Sequence, residues 1–581
     1  MASRYDKSNR IVLDMNSKFD PISNSSLPTI PPSLVPLSQP GLDDDKTYKY
    51  MHNNQYNNKN GSIIHKLKYF SYSIFKSLRI RHLLVLYLIW CIAIQFCERT
   101  YVYYTIKKCK WDQWEDWSYN NDGNIDSNIV NPYHSVIIGD PQIIDQYSYP
   151  NKTVGSFLKI SQTIVDNYLH RNHIYIKNLL NPDSILFIGD LFDGGRDANN
   201  EEWYKEYKRF NKIFNKFEDT KIITSIPGNH DIGFGNGVNI DVLNRFKTFF
   251  GDSNDYLIMG NHSIILMDTV SLSNIENEQI NKESNYFLNS LNNPKHNIHN
   301  YPKILLTHVP LYRFTERQLC GPLRERNNKR FPVMKGKQYQ TVLEYDLSQR
   351  ILNTIKPKII FSGDDHDYCH IRHPLQHVND ASSIKGSGES FTDEITVKSS
   401  TMTGGIKKPA IQLLSLWNPL DSNDDMSKNK NKDYIFEETG GLIVKHDTLQ
   451  SRICFLPEGY HSIRIYISLL ILNIISFIVI FIPHKISFKI MKLYHKFNSL
   501  ILNNSNNNNN NNNTLLPMNK DKSNLIAKKN NDINKFKDKI LKLLNKDWEI
   551  SDNIDIKSLL LNVIVITLLA INHIKWYINS I

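Results

Sequence analysis

Five short segments of this chain end in residue types that bind divalent cations and move protons. They read VIIGDPQ (Val136–Gln142), ILFIGDLFD (Ile185–Asp193), IITSIPGNHD (Ile222–Asp231), ILLTHVP (Ile304–Pro310) and IIFSGDDHD (Ile359–Asp367). Asp140, Gln142, Asp190, Asn229, His308, Asp364 and His366 together offer carboxylate, amide and imidazole donors. That mixture suits Mn²⁺, Fe or Zn²⁺ better than a structural thiolate zinc site. Two such cations about 3.5–4 Å apart need one bridging carboxylate, and Asp190 is the choice. Phosphoester hydrolysis follows as the expected chemistry, with a hydroxide bridging the two ions attacking in line. His230 is not needed as a ligand, so it is assigned to protonate the leaving alkoxide. Asp231 is expected to orient that imidazole and hold it cationic. Arg196, six residues after Asp190 in a Gly-rich loop, is read as a bidentate phosphate contact, with a plain surface arginine as the alternative. Asp193 is read as shaping its loop.

These groups need rigid elements behind them. Each apolar run is four to six residues, the length of a buried strand, and the chemistry sits where the strand stops. Asp140 and Gln142, like Asp364 and His366, are spaced i and i+2 and can face the same way. Helical patterns over Gly155–Leu180 and Glu201–Phe217 alternate with the strands, which predicts an α/β fold with parallel pairing. In the latter segment Trp203, Tyr204, Tyr207, Phe210, Phe214 and Phe217 form an apolar side for core packing. Ligands of open α/β sheets bind beyond the carboxyl ends of the strands, so one rim should collect all seven donors.

Only part of the 581 residues is expected to be globular. Residues 1–78 read as a cytosolic, largely disordered tail, and 484–557 as a cytosolic Lys/Asn-rich low-complexity loop. Apolar segments at 79–98 and 463–483 read as transmembrane helices, and 558–578 as a third span, with an amphipathic or buried helix as its alternative. The first is too far from the start to be a removed signal peptide and reads as a signal anchor. Lys and Arg crowd both flanks, which places the 99–462 domain on the lumenal or outer side. The overall charge of +11 has the same origin. The first 82 residues carry about +6 and the 484–557 loop +7, so the globular part is near neutral and nucleic-acid binding is excluded. Cys109, Cys320, Cys369 and Cys454 allow three pairings in an oxidising compartment, with free buried thiols as the alternative. Asn151 and Asn261 head glycosylation sequons. Trp111, Trp114 and Trp117 suit either an aromatic belt or packing on the domain base. His370 and His373, and the Gly404–Gly405 pair, are read as structural.

The five motifs resemble those of the calcineurin-like metallophosphoesterases, whose pattern is D-x-H, G-D-x-x-D, G-N-H-[DE], a strand-end His and G-H-x-H. The resemblance covers about residues 133–375. It implies a four-layer α/β/β/α sandwich, here anchored by transmembrane helices. It also implies two divalent metals: one on Asp140, Gln142, Asp190 and His366, the other on Asp190, Asn229, His308 and Asp364. Gln142 stands where the superfamily usually has His, and Asp364 where it has the first His of G-H-x-H. Both exchanges add oxygen to the ligand set and favour Mn²⁺. With the words GDLFDGGR and FSGDDHDYC they resemble a eukaryotic membrane-bound branch that removes ethanolamine phosphate from mannoses of glycosylphosphatidylinositol (GPI) anchors. That implies a GPI glycolipid or GPI-anchored protein as substrate, in the endoplasmic reticulum membrane or the Golgi, with the catalytic domain lumenal. A lipid pyrophosphate or phosphomonoester substrate, or a non-catalytic trafficking role on a degenerate scaffold, are the alternatives.

Overall fold

A computed structural model of the chain describes residues 78–117, 131–149, 155–326, 330–336, 338–375, 391–418, 443–481 and 556–579. The expected tail, the Asn-rich loop and the sequon at Asn151 lie outside the described residues.

All five apolar runs form strands. In chain order the strands are β1 (Tyr133–Ile138), β2 (Ser184–Phe187), β3 (Lys221–Ile223), β4 (Asp255–Met259), β5 (His262–Met267) and β6 (Lys303–Thr307). They continue with β7 (Ile359–Ser362), β8 (Cys369–Pro374), β9 (Phe391–Thr396), β10 (Ala410–Leu416), β11 (Ile443–Lys445) and β12 (Leu449–Phe455). They build two six-stranded sheets rather than one open sheet, in the orders β11-β12-β10-β1-β2-β3 and β4-β5-β6-β7-β9-β8. The single rim expected from the five motifs is therefore shared: β1, β2 and β3 end on one sheet, β6 and β7 on the other.

Period-two alternation explains the layers. Ile137, Leu186, Ile304, Leu306, Ile359 and Phe361 point between the sheets and pack with Ile226, Ile264, Leu414 and Ile453. Their strand neighbours Val136, Ile138, Ile185, Phe187, Leu305 and Ile360 point outward to the helices. Burial on both faces is why these strands read as unbroken apolar runs.

The helices are α1 (Ile80–Gln95), α2 (Tyr101–Lys107), α3 (Gly155–Leu180), α4 (Asn200–Ile213), α5 (Asn229–Ile232), α6 (Ile240–Phe250) and α7 (Thr269–Leu272). They are followed by α8 (Glu278–Ser290), α9 (Tyr345–Ile355), α10 (His461–Phe481) and α11 (Ile556–Asn579). The α3 span coincides with the sequence pattern. Helix α4 starts at a capping box, in which Asn199 and Glu202 satisfy each other's backbone N–H groups, and it stops at Ile213, four residues short of the pattern. Phe217 leaves the helix and stacks on His173 instead. Trp203, Tyr207 and Phe210 meet Phe250 of α6 in an aromatic cluster.

Among the described residues, three helices are long and apolar enough to cross a membrane. Helix α1 runs through one π-helical turn, Phe96–Thr100, into α2. α1, α10 and α11 pack on one another through Trp90, Ile94, Phe477, Ile566, Ala570 and Tyr577. Disulfides join Cys109 to Cys454 and Cys320 to Cys369, while Cys91 and Cys97 stay free. The tryptophans serve the domain base: Trp111 donates to Leu180 O at 2.6 Å, Trp114 is buried, and Trp117 donates to Ser415 Oγ at 3.1 Å.

Candidate metal centre

Five of the seven expected donors leave their strands in an unusual backbone state. Among the described residues, eight non-glycine residues have positive φ, and five of them are Asp140 (43°), Gln142 (31°), Asp190 (51°), Asp364 (67°) and His366 (64°). The left-handed region costs an L-residue roughly 1–2 kcal/mol. Such strain persists where surrounding structure enforces it, and it gathers at ligand sites. The adjoining glycines let the motifs approach closely. A Cβ on Gly228 would stand 2.0 Å from Asp190 Oδ1, and one on Gly189 2.5 Å from His308 Nδ1.

His308 lies at the centre, fully buried. Its Nε2 is 3.3 Å from Asp190 Oδ1, 3.2 Å from Asn229 Oδ1 and 3.7 Å from Asp364 Oδ1. Its Nδ1 bonds Ile188 O at 2.9 Å, and this second bond fixes the ring. Gln142 sets its amide 2.8 Å from Asp190 Oδ2. Asp364 N–H donates to Asp140 Oδ1 at 3.0 Å. Asn229 is oriented by its bond to Gln338 O, which leaves its amide oxygen inward. His366 Nδ1 bonds Gly404 O at 3.2 Å, so Nε2 is the nitrogen left for a metal. Direct contacts thus link Asp140, Gln142, Asp190, Asn229, His308 and Asp364, with Asp140, Asp190 and His308 as a compact triad, while His366 lies near enough to feel the charge of Asp190.

Three carboxylates in so dry a space repel one another. Burial, then the Asp190 and Asp364 charges, push Asp140 well above the usual carboxylate range against the pull of His308. Burial and Asp190 push Asp364 up to about 7. Burial opposes ionisation of Asp190 too, but His308 and His230 outweigh it and hold its carboxyl low. Burial also opposes charge on His308, yet Asp190 and Asp140 raise it well above its ordinary value. His366 falls to about 4 through burial. Asp140 Oδ2 is buried with no hydrogen-bond partner. An orphan carboxylate oxygen among mutually repelling acids, imidazoles and amides is the donor set a divalent cation completes.

His230 flanks the donors as expected, but its partner is different. Its Nδ1 lies 2.6 Å from Asp193 O and 3.2 Å from Asp193 Oδ1. Burial lowers its affinity for a proton, but Asp190 and Asp193 overcome this and raise it to about 9. Asp231 does not orient the ring. Its carboxylate accepts the backbone N–H groups of Leu191, Phe192 and Gly228, and so ties the Asp190 loop to the Asn229 loop. The two roles assigned by sequence to Asp193 and Asp231 are exchanged. Arg196 lies beside these loops, where its guanidinium donates to Asn229 O at 3.0 Å and pairs with Asp197 at 3.3 Å.

Sequence reading missed the support around Asp365, which sits between two ligands. Buried Arg324 grips its Oδ2 at 2.5 Å, and half-exposed Arg326 its Oδ1 at 3.1 Å. Arg324 and Arg326 come from an irregular loop with no periodicity to betray them. Gly404, read from sequence as a hairpin residue, also orients His366 through its carbonyl. His370 and His373 are structural, bonded to Asp393 and Glu394 on β9.

Comparison with known proteins agrees with this geometry. Residues 133–368 match the calcineurin-like phosphoesterase family. Cell division control protein 1 of Saccharomyces cerevisiae is 41% identical over 390 residues, 67% of this chain and 72% of the yeast protein. Metallophosphoesterase 1 of Danio rerio and of Xenopus laevis are each 29% identical, over 34% of this chain and 55% and 53% of their own lengths. A shared motif set, a doubled sheet and a converged donor cluster lead to one conclusion: this chain is a membrane-associated member of the calcineurin-like phosphoesterase family, a metal-dependent hydrolase of phosphoric esters.

Proposed function

We propose that this chain is a binuclear phosphodiesterase that removes ethanolamine phosphate from a mannose of GPI anchors, on the lumenal face of the endoplasmic reticulum or Golgi membrane. The observation that carries a membrane-bound substrate is a matter of register. Ile137 pairs with Gln412, and Ala410 pairs with Phe455, so β12 ends on the side where β1 delivers Asp140. Gly459 then packs on Met402, whose loop also supplies Gly404 to His366, and α10 begins at His461. Tyr101, where α1 runs into α2, meets the same point: its hydroxyl accepts from Glu458 N–H, and its ring lies 4.6 Å from that of His461. The metal-centre end of the first sheet is therefore the end from which two apolar helices depart.

Bound divalent ions would be held by the seven donors, with Mn²⁺ favoured by their oxygen content, and would supply Lewis-acid charge and an acidified water. Asp190, held ionised, would be the carboxylate shared by the two ions. His230, kept protonated by Asp190 and Asp193, gives its proton to the mannose oxygen as the P–O bond to that oxygen breaks. Water supplies the new oxygen on phosphorus, and phosphoethanolamine leaves. Arg326, anchored on Asp365, adds positive charge near His366 for the phosphate.

The test is release of phosphoethanolamine from a GPI glycan by the purified full-length protein with Mn²⁺. Wild-type release that His230→Ala suppresses supports the reading. Turnover of a lipid pyrophosphate or phosphomonoester without that release moves the substrate elsewhere. Fewer than two bound ions with no turnover returns the chain to a non-catalytic role.

A further inference from the structure

Helix α3 is longer than the layer it belongs to. It follows β1 and returns the chain to β2, which pairs parallel to β1, so it starts at the metal-centre end and finishes at the opposite end. Its 26 residues span about 39 Å. The path from Tyr133 to Asp140 along β1 covers only about 26 Å. The excess lies at the N-terminus. The first buried residue of the helix is Val165, and none of the ten residues before it is buried. These turns extend past the domain body and touch it lightly, through Gln162 and through Phe157, whose ring lies 5.6 Å from that of Tyr149.

Two hydrogen bonds fix the end from which they project. Tyr168 donates to Pro457 O at 2.7 Å, four residues before α10, and Gln162 Nε2 reaches Ile144 O at 3.2 Å, just beyond Asp140 and Gln142. The N-terminal turns of α3 therefore stand at the end where α1 runs into α2 and where α10 begins. Their sequence, GSFLKISQTI, carries one charge, Lys159. Phe157, Ile160 and Ile164 are 57%, 59% and 39% exposed and fall at i, i+3 and i+7, on one stripe. A helical extension with so little packing is marginal in water. A contiguous stripe of large apolar side chains is a contact surface in want of a partner.

We propose that Gly155–Ile164 lies in the headgroup and upper acyl region of the bilayer crossed by α1, α10 and α11, with Phe157, Ile160 and Ile164 toward lipid. Lys159 extends to the lipid phosphates, as basic residues of interfacial helices do. The bilayer is the occupant because the stripe stands at the same end of the domain as the departure of the apolar helices α1 and α10. This element sets how far the metal centre stands from the membrane surface, and it does so independently of which phosphoester is hydrolysed.

The experiment uses the unmodified full chain in phosphatidylcholine vesicles containing a lipid with a photoactivatable diazirine in its acyl chain. After irradiation, adducts are mapped by mass spectrometry. Adducts on the peptide bearing Phe157–Ile164, at yields within a few-fold of those on α10, support the proposal. The peptide bearing Tyr286 of α8, which is 76% exposed, should stay unlabelled. Adducts confined to α1, α10 and α11 overturn the proposal and leave the stripe to water or a protein partner. As a second arm, the F157D/I160D double variant should lose at least fivefold of the α3 adducts with α10 labelling unchanged. Undiminished α3 labelling in that variant also overturns it.

Discussion

His230 Nδ1 lies 2.6 Å from the carbonyl oxygen of Asp193 and within 3.2 Å of the same residue's carboxylate. The double contact fixes the ring by one nitrogen and leaves the other free for substrate. It also makes Asp193, not Asp231, the residue that orients the imidazole and, after Asp190, keeps it charged. His230→Ala is expected to lower kcat by about 10²-fold or more for an alkyl phosphodiester. The loss should shrink sharply for a p-nitrophenyl ester, whose leaving group needs no proton. Asp193→Ala should reproduce the same leaving-group dependence at smaller size with metal content unchanged. Equal losses on both esters would remove the general-acid role.

Gly228 has no room for a methyl group, because a Cβ there meets Asp190 Oδ1 at 2.0 Å and Asp190 N at 2.3 Å. Gly228→Ala should displace the central carboxylate by more than an ångström. A shift of that order costs about 10² in rate. Metal analysis should find less bound ion, and kcat should fall at least a hundredfold. Full metal occupancy with wild-type kcat would contradict the geometry.

Asp393 ties the two sheets together away from the metal centre. It pairs with His370 Nε2 at 2.8 Å on β8 and with His446 Nε2 at 3.1 Å beside β12. Burial alone would raise its carboxyl, but these two histidines hold it well below the usual range. A depressed folded-state pKa means the unfolded chain binds the proton more readily, so the contribution is present above about pH 4 and lost as pH falls below it. Asp393→Asn should cost about 1–3 kcal/mol near pH 7. The Tm gap to wild type should close on acidification below pH 4, and a gap constant with pH would exclude the pairing.

The Cys109–Cys454 disulfide closes a separation of 345 residues and fastens the segment after α2 to β12. Cys454→Ser should destabilise the protein by about 2–5 kcal/mol. Peptide mapping without reductant should find this linkage and Cys320–Cys369, with Cys91 and Cys97 alkylatable after unfolding. Any other pairing would be incompatible with the fold.

The sequence by itself determined the family motifs and which elements end in them. An apolar run of strand length followed by a polar word is a local signal, and local signals survive without coordinates. The seven donors, the strands before them, the long α3 and the apolar helices were all legible for that reason. Only the tertiary structure decided that the five strand ends belong to two sheets, since register and pairing between distant segments leave no trace in local periodicity. It alone paired the cysteines, because three pairings of four are equally consistent with spacing. It exchanged the roles of Asp193 and Asp231, because the direction of a loop carboxylate depends on which backbone N–H groups the neighbouring loop presents. It also exposed Arg324, Arg326 and Gly404, whose importance lies in contacts across tens of residues. The placement of the metal-centre end beside the membrane helices is the same kind of fact: it follows from the pairing of Ala410 with Phe455, and no stretch of sequence contains it.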